Sequence, residues 1–361
     1  MRTSLALATI LAAGAVLPVA AQQPLVQNGR VETRAAASID RELSALGGAT
    51  DPVWIGWREP MTDGERNMCS TWFTDRTGYI RGDVLEPTDA PGMNAPKIAP
   101  PSGPVALEGG TGVVVLVRMI NGRIERVRSI GDDCPMDAGG RTFYWLTGVT
   151  STESLRFLES LLKSDGQSLD EQRRFRESAV SAIAVHRDPG ADAILDRLAG
   201  SSDDSETRRR AASYLGSMRG AHGLATLRSL IASEKDPTTR RSFVTSLGQT
   251  RQPGTADALL TLAQNDPDPR LRAEAAYWYP QRAGVSGTAA TLALIDKDTN
   301  DDVKRRAVSG LSRLPDNQAV PTLIDLAKST KSSEVVRKEA VTALGQSKDP
   351  RAVAFLEQIL R

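Results

Sequence analysis

Histidine and cysteine are almost missing from this sequence, with two of each, His186, His222, Cys69 and Cys134, in 361 residues. That scarcity leaves too few side chains for a zinc site of four nitrogen and sulfur ligands, and no CxxC pair is present. It also makes a histidine-based nucleophile–base arrangement hard to assemble. GxSxG, HExxH and GxxxxGK[ST] are all absent, and the GTG at 110–112 and GG at 139–140 are too short for a phosphate loop. No catalytic residue, metal ligand set or cofactor pattern is therefore expected. An excess of one charge sign is missing too, with 45 Lys+Arg against 44 Asp+Glu. Binders of nucleic acid carry a basic excess, so no nucleic-acid partner is expected.

Long apolar runs are confined to the N-terminus. Arg2 supplies a positive start, residues 5–16 are small and apolar, and Val19 and Ala21 fit the small-residue cleavage pattern. The run is short and Pro18 follows it, so it predicts a signal peptide over 1–21, cleaved near Ala21–Gln22, and no membrane span in the mature chain. Export to the periplasm or beyond makes an oxidising setting. There the even pair Cys69 and Cys134 is expected to form one disulfide. Closing a loop of that length stabilises a fold by about 4 kcal/mol on the chain-entropy argument.

Composition divides the mature chain. Residues 22–50 are an Ala-rich lead-in, and VETRAAASIDRELSALGG (31–48) predicts one helix ended by Gly47-Gly48. Residues 51–147 hold four of the five tryptophans, Trp54, Trp57, Trp72 and Trp145. Short β-type runs recur there: VWIGW at 53–57, STWFT at 70–74 and TGYIRG at 77–82. GVVVLVRMI (112–120) and RIERVRSI (123–130) flank Asn121-Gly122, the strongest short-range hairpin signal. The Pro-rich stretch 86–104 predicts a loop. This is a small β-rich domain.

From 152 onward apolar residues recur three or four apart. SAVSAI at 178–183 is followed by RAASYL at 210–215, SFVTSL at 242–247, EAAYWY at 274–279, RAVSGL at 306–311 and EAVTAL at 339–344, at steps of 32, 32, 32, 32 and 33 residues. A second family of amphipathic segments lies between them. Each unit thus reads as helix A, a turn and helix B, with 154–162 as the first A helix and 352–360 as an unpaired last one. Such hairpins bury their apolar faces only by stacking, so an α-solenoid over 152–361 is predicted, preceded by the small β-rich domain. Ala179, Ala211, Val244, Ala276, Val308 and Val341, with Leu215, Leu247, Leu311 and Leu344, are its predicted core. Gly216, Gly248 and Gly345 fit turns after helix B. Asp204, Asp236, Asp268, Asn300 and Ser333 stand where the B helices begin and suit N-caps, with Gln172 at that place in the first unit.

The B-helix pattern D-x-x-x-R-x-x-A-A/V-x-x-L-G resembles the HEAT-repeat family, in particular its short bacterial form related to phycobilisome-lyase repeats. The resemblance covers about 152–361, and nothing comparable marks 51–147. It implies a ladder linking units through Asp204 and Arg208, Asp236 and Arg240, Asp268 and Arg272, and Asn300 and Lys304. Arg337 and Arg176 occupy the same column in the last and first units. It also implies that some relatives help attach bilin chromophores to proteins, a lyase-like alternative that the predicted export disfavours.

Clustered arginines, among them Arg209, Arg241 and Arg305, and the aromatic pair Tyr277 and Trp278 are the candidate partner-binding residues. Acidic neighbours weigh against a basic stripe, and Tyr279 fits the Leu column. The expected function is a non-enzymatic scaffold that binds a protein partner through the solenoid surface. The alternative is an enzyme or ligand site in the β-rich domain around Asp132, Asp133 and Asp137.

Overall fold

The computed structural model describes residues 24–63, 68–69, 71–74, 78–86, 110–163, 168–202 and 204–360. The signal peptide over 1–21, the Trp72 side chain and nearly all of the Pro-rich stretch lie outside them. Strands come first: β1 (Val26–Gln27), β2 (Arg30–Ala35), β3 (Val53–Pro60), β4 (Thr71–Thr74), β5 (Gly78–Arg81), β6 (Asp83–Val84), β7 (Gly112–Ile120), β8 (Arg123–Gly131), β9 (Met136–Asp137) and β10 (Thr142–Thr147). Helix α1 (Ile39–Leu46) lies between β2 and β3. The main sheet has the order β2-β10-β3-β7-β8, beside a small β1-β9-β6 sheet and a β4-β5 hairpin.

Hairpin β7–β8 turns at Asn121 and Gly122, whose φ of +50° and +72° are the two left-handed positions of a type I′ turn. The helix expected over 31–48 is confined to Ile39–Leu46. Its first half is instead the edge strand β2, paired in parallel with β10 from Arg30↔Thr142 to Ala35↔Thr147. Helix propensity there is outweighed by an open β10 edge, and α1 becomes the crossover between two strands parallel to β10. The lead-in is thus built into the main sheet. Cys69 and Cys134 form the disulfide, with Cα atoms 5.4 Å apart.

Alternation along the strands makes two apolar faces. Trp54, Leu116, Ile130, Phe143 and Trp145 fill the outer one around the disulfide. Ile55, Trp57, Val115, Val117, Val127 and Leu146 face inward, and their core runs on without a break through the helices to Phe355.

The helices alternate as expected. A helices are α2 (Ser151–Ser160), α4 (Gly190–Ser201), α6 (Gly220–Ser233), α8 (Thr255–Asn265), α10 (Thr288–Lys297) and α12 (Asp316–Lys328). B helices are α3 (Leu169–Val185), α5 (Ser205–Met218), α7 (Pro237–Gln249), α9 (Pro269–Ala283), α11 (Asp301–Leu311) and α13 (Glu334–Gln346), with α14 (Pro350–Leu360) as the unpaired last A helix. Among the described residues they form six stacked hairpins, each B helix touching the next. Leu215, Leu247, Leu311 and Leu344 are buried, as are Ala179, Ala211, Val244, Ala276 and Val308. Val341 is half-buried, on the last B helix among the described residues.

The glycines do other work than expected. Gly216 and Gly248 lie within α5 and α7 rather than in turns, and neither has a positive φ. A Cβ on Gly216 would meet the Ser246 carbonyl oxygen at 2.1 Å, and one on Gly248 would meet the Trp278 ring at 2.2 Å. They let neighbouring B helices approach closely. Gly345, in the last B helix, has open space instead.

Candidate functional site

The row of B helices is the extended surface of the molecule, and its side chains are positioned from the caps upward. Asp204, Asp236, Asp268, Asn300 and Ser333 each accept first-turn backbone N–H groups, as N-caps do. The first unit differs from expectation. Ser168, not Gln172, caps α3 in a reciprocal bond pair with Glu171, so the helix begins a turn earlier.

The arginine ladder exists, but its acids are not the caps. Arg208 pairs with Glu234, Arg240 grips Asp266 with bonds of 3.1 and 2.6 Å, and Arg272 grips Asp298 with bonds of 2.8 and 3.2 Å. Each acid follows the A helix of the next unit. Arg208 also donates to the Ala199 carbonyl and Arg240 to the Ile231 carbonyl, closing their own A helices. The acids in turn accept the backbone N–H of the next cap, Asp236, Asp268 or Asn300. Burial opposes ionisation of Asp298, but Arg272 and the Asn300 N–H hold it below the usual carboxylate range. The four pairs spaced i,i+4 are joined by helical backbone bonds, such as Arg208 N–H to Asp204 O, and by no ion pair among the described residues. The sequence signal that marks the true partners is an acid two residues before the cap, in Glu234-Lys235-Asp236, Asp266-Pro267-Asp268 and Asp298-Thr299-Asn300. The pattern stops at the ends. Arg176 uses Asp204 at 3.1 Å, Arg337 bonds to the Ser332 carbonyl, and Lys304 has no direct ion pair among the described residues.

A second set of bonds runs over the B-helix face. Glu274 is buried on α9 and accepts from Thr245 of α7 at 3.0 Å, from Trp278 Nε1 at 2.9 Å and from Arg306 of α11 at 3.0 Å. Arg306 also stacks on Tyr277, 4.0 Å from the ring centre, and Arg282 lies 5.6 Å from that of Trp278. The aromatic pair is thus half-buried and tied into three helices rather than free, and Tyr279 fills the Leu column as a buried residue. Arg241 and Arg305 are exposed on the same row, with Arg305 paired to Asp302. Arg209 is half-buried and bonds to Glu206 at 2.5 Å.

Among the described residues the acids of the β-rich region form no group of three, although the Asp132 and Asp133 carboxyls both border Gly110. Asp132 pairs with Arg58 at 2.8 Å, while Asp137 accepts from Asn28 and from the Gly139 N–H. Among the described residues, the one group of potential metal ligands is Cys69, Asp83 and Cys134, two of which are joined as a disulfide.

At the junction of sheet and helices lies a buried polar chain that the sequence did not announce. Trp57 donates to the Ser154 hydroxyl at 2.8 Å, and Ser154 lies 2.9 Å from His186 Nε2. His186 Nδ1 bonds to the Ala182 carbonyl at 2.7 Å, which matches a neutral ring with its hydrogen on Nδ1. Burial pushes the His186 pKa down, against the pull of that carbonyl. His186 ends α3 as its C-cap and is fully buried there. The Ser154–His186 pair is sealed from solvent, and its hydrogen bond links α2 to the end of α3. Glu59 sits beside this chain, also buried, with its carboxyl bonded to the Ser151 hydroxyl at 2.6 Å. Its signal was a glutamate on the inward face of β3, two residues after Trp57.

Stacked antiparallel hairpins with B helices in one row define an α-solenoid. A family model described as HEAT repeats matches residues 191–278 and 288–361, so the C-terminal part of the chain is a HEAT-repeat solenoid. No curated protein matches the chain in sequence. Human deoxyhypusine hydroxylase matches in structure at 17% identity, covering 58% of this chain and 91% of that one, with a TM-score of 0.31. The complex of CpcE and CpcF of phycocyanin lyase from Nostoc matches at 17% identity, over 58% of this chain and 81% of that one, with a TM-score of 0.31. No described helix is long and apolar enough to cross a membrane.

Proposed function

We propose that this protein is an exported, non-enzymatic scaffold whose B-helix row binds a protein partner. The observation that carries this reading is the unbroken row α3-α5-α7-α9-α11-α13, which presents Arg241 and Arg305 to solvent over a rigid, ladder-braced core. Stacked repeats use such long faces for recognition. A disulfide in the structure agrees with export, because it persists in oxidising compartments. Catalysis has no comparable support, since Asp132 is engaged by Arg58, Asp137 by Asn28 and the Gly139 N–H, and the Ser154–His186 pair is sealed.

The test is cross-linking of the chain in its native cell, with the wild type compared against a triple Arg209→Glu, Arg241→Glu, Arg305→Glu variant. A partner cross-linked to the wild type and lost from a folded variant supports the reading. A partner retained at full yield by the variant moves the interface off this row. Mass spectrometry of the mature chain, expected to begin at Gln22, and its recovery outside the cytoplasm check the export.

A further inference from the structure

Glu59 breaks the pattern of its own strand. Val53, Ile55 and Trp57 turn apolar surface toward the helices, and Glu59 then places a carboxyl group in the same layer. It is 1% exposed. One oxygen accepts from Ser151 at the start of α2, and the other is buried with no hydrogen-bond partner. This is also where the sheet and the solenoid are stitched together by backbone. Thr62 N–H donates to the Val185 carbonyl at 2.8 Å and Arg187 N–H to the Pro60 carbonyl at 2.9 Å, on either side of a bridge between Met61 and His186.

The charged and titratable groups around this junction come from each element packed there. Arg58 is next to Glu59 on β3 and is engaged by Asp132, just after β8. His186, Arg187 and Asp188 come from the turn between α3 and α4, with Asp63 held by Arg187. Arg219, at the end of α5, lies beneath that turn and bonds to Asp192 and to the His186 carbonyl.

We infer that the junction between the sheet and the first helical hairpin is a proton-controlled latch, closed while Glu59 holds a proton and loosened when its carboxylate ionises. A neutral carboxyl group tolerates burial with one oxygen unmatched, whereas an ionised one does not. Burial raises the Glu59 pKa to about 7, and the charge of Asp188 adds to this against the opposing Ser151 bond and Arg58. Opening the junction lets water reach the group and returns it to the ordinary range near 4.5. Opening therefore releases a proton near neutral pH, and the opening constant rises about tenfold between roughly pH 6 and 8.5. His186, whose pKa is depressed, acts in the other sense and keeps the latch from tightening further at lower pH. The latch needs no partner, so it stands or falls apart from the scaffold reading.

Hydrogen exchange of the Thr62 and Arg187 amides in the full chain reads the latch directly. After correction for intrinsic rates, their protection should fall across roughly that pH range in the wild type, by up to the tenfold that Glu59 alone would give and less by what His186 offsets. It should not fall in Glu59→Gln, where His186 remains and acts in the opposite sense, while amides in α7 and α9 keep their protection in both. An equal slope in Glu59→Gln, or level protection in the wild type, overturns the proposal. If Glu59→Gln does not fold, the Glu59 carboxyl ¹³C shift is titrated in the wild type and in Ser151→Ala. Titration near neutrality that moves higher in Ser151→Ala supports the latch, and titration in the ordinary glutamate range overturns it.

Discussion

The solenoid and its junction with the sheet treat buried charge in opposite ways. Along the B helices every laddered arginine in the middle units meets an acid from the next repeat, and that acid is itself anchored to a cap. At the junction Glu59 is more deeply buried than any of those acids, yet one of its oxygens has no partner. Repetition explains the contrast. A unit that satisfies its neighbour does so at each step, so one good arrangement is copied down the stack. The junction occurs once, between unlike elements, and its polar groups are matched singly. Charge in the solenoid is therefore bracing, and charge at the junction is a source of pH sensitivity.

The largest test of this contrast lies in the apolar core shared by both regions. Leu247→Ala, in the middle of the stack, should destabilise by about 2–5 kcal/mol in chemical denaturation, because the side chain is buried between units that cannot collapse around the gap. Next comes the pH dependence of Glu59. Its folded pKa is raised, so its contribution is fully present below the unfolded value near 4.5 and is lost as pH rises through about 7. Relative to Glu59→Gln, the wild type should thus lose on the order of 3 kcal/mol between acid and mildly alkaline buffer, measured by denaturation of both proteins across that range. His186 carries the opposite sign: its contribution is present above the ordinary histidine value and lost as pH falls through its depressed one. A wild-type profile that peaks between the two transitions is the expected shape.

Smaller effects probe the ladder. Asp266→Asn leaves Arg240 with a neutral partner in a half-buried place and should cost about 1.5–3 kcal/mol in chemical denaturation. A loss as large from Lys304→Met would contradict the contrast, because among the described residues Lys304 makes no direct ion pair and acts on Asp298 only through its charge. Asp268→Ala removes one cap and should cost about 1 kcal/mol by thermal melting.

Much of the solenoid could be read before any coordinates. Apolar residues three and four apart, repeated every 32 or so positions, place each hairpin to within a turn. The cap residues follow because a short oxygen-bearing side chain ahead of an apolar run has one evident use. What misled was the assumption that interaction follows nearness in sequence. Asp204 and Arg208 suit an i,i+4 pair, but the arginine reaches forward to Glu234, across a stacking contact that no single helix contains. Gly216 and Gly248 suit turns, yet they face the next B helix, where a Cβ has no room. Residues 31–35 have helical propensity, yet the open edge of β10 claims them as a strand.

The sequence by itself determined the repeat, the alternation of helices, the hairpin at Asn121-Gly122 and the positions of most caps, because each depends on side chains within a turn or two of one another. Only the tertiary structure decided the ladder's partners, the crossing role of the glycines, the merging of the lead-in into the sheet and the burial of Glu59 beside His186. Those depend on which surfaces meet when hairpins stack and a sheet closes over the first of them, and a charge's environment is set by that meeting rather than by its neighbours in the chain.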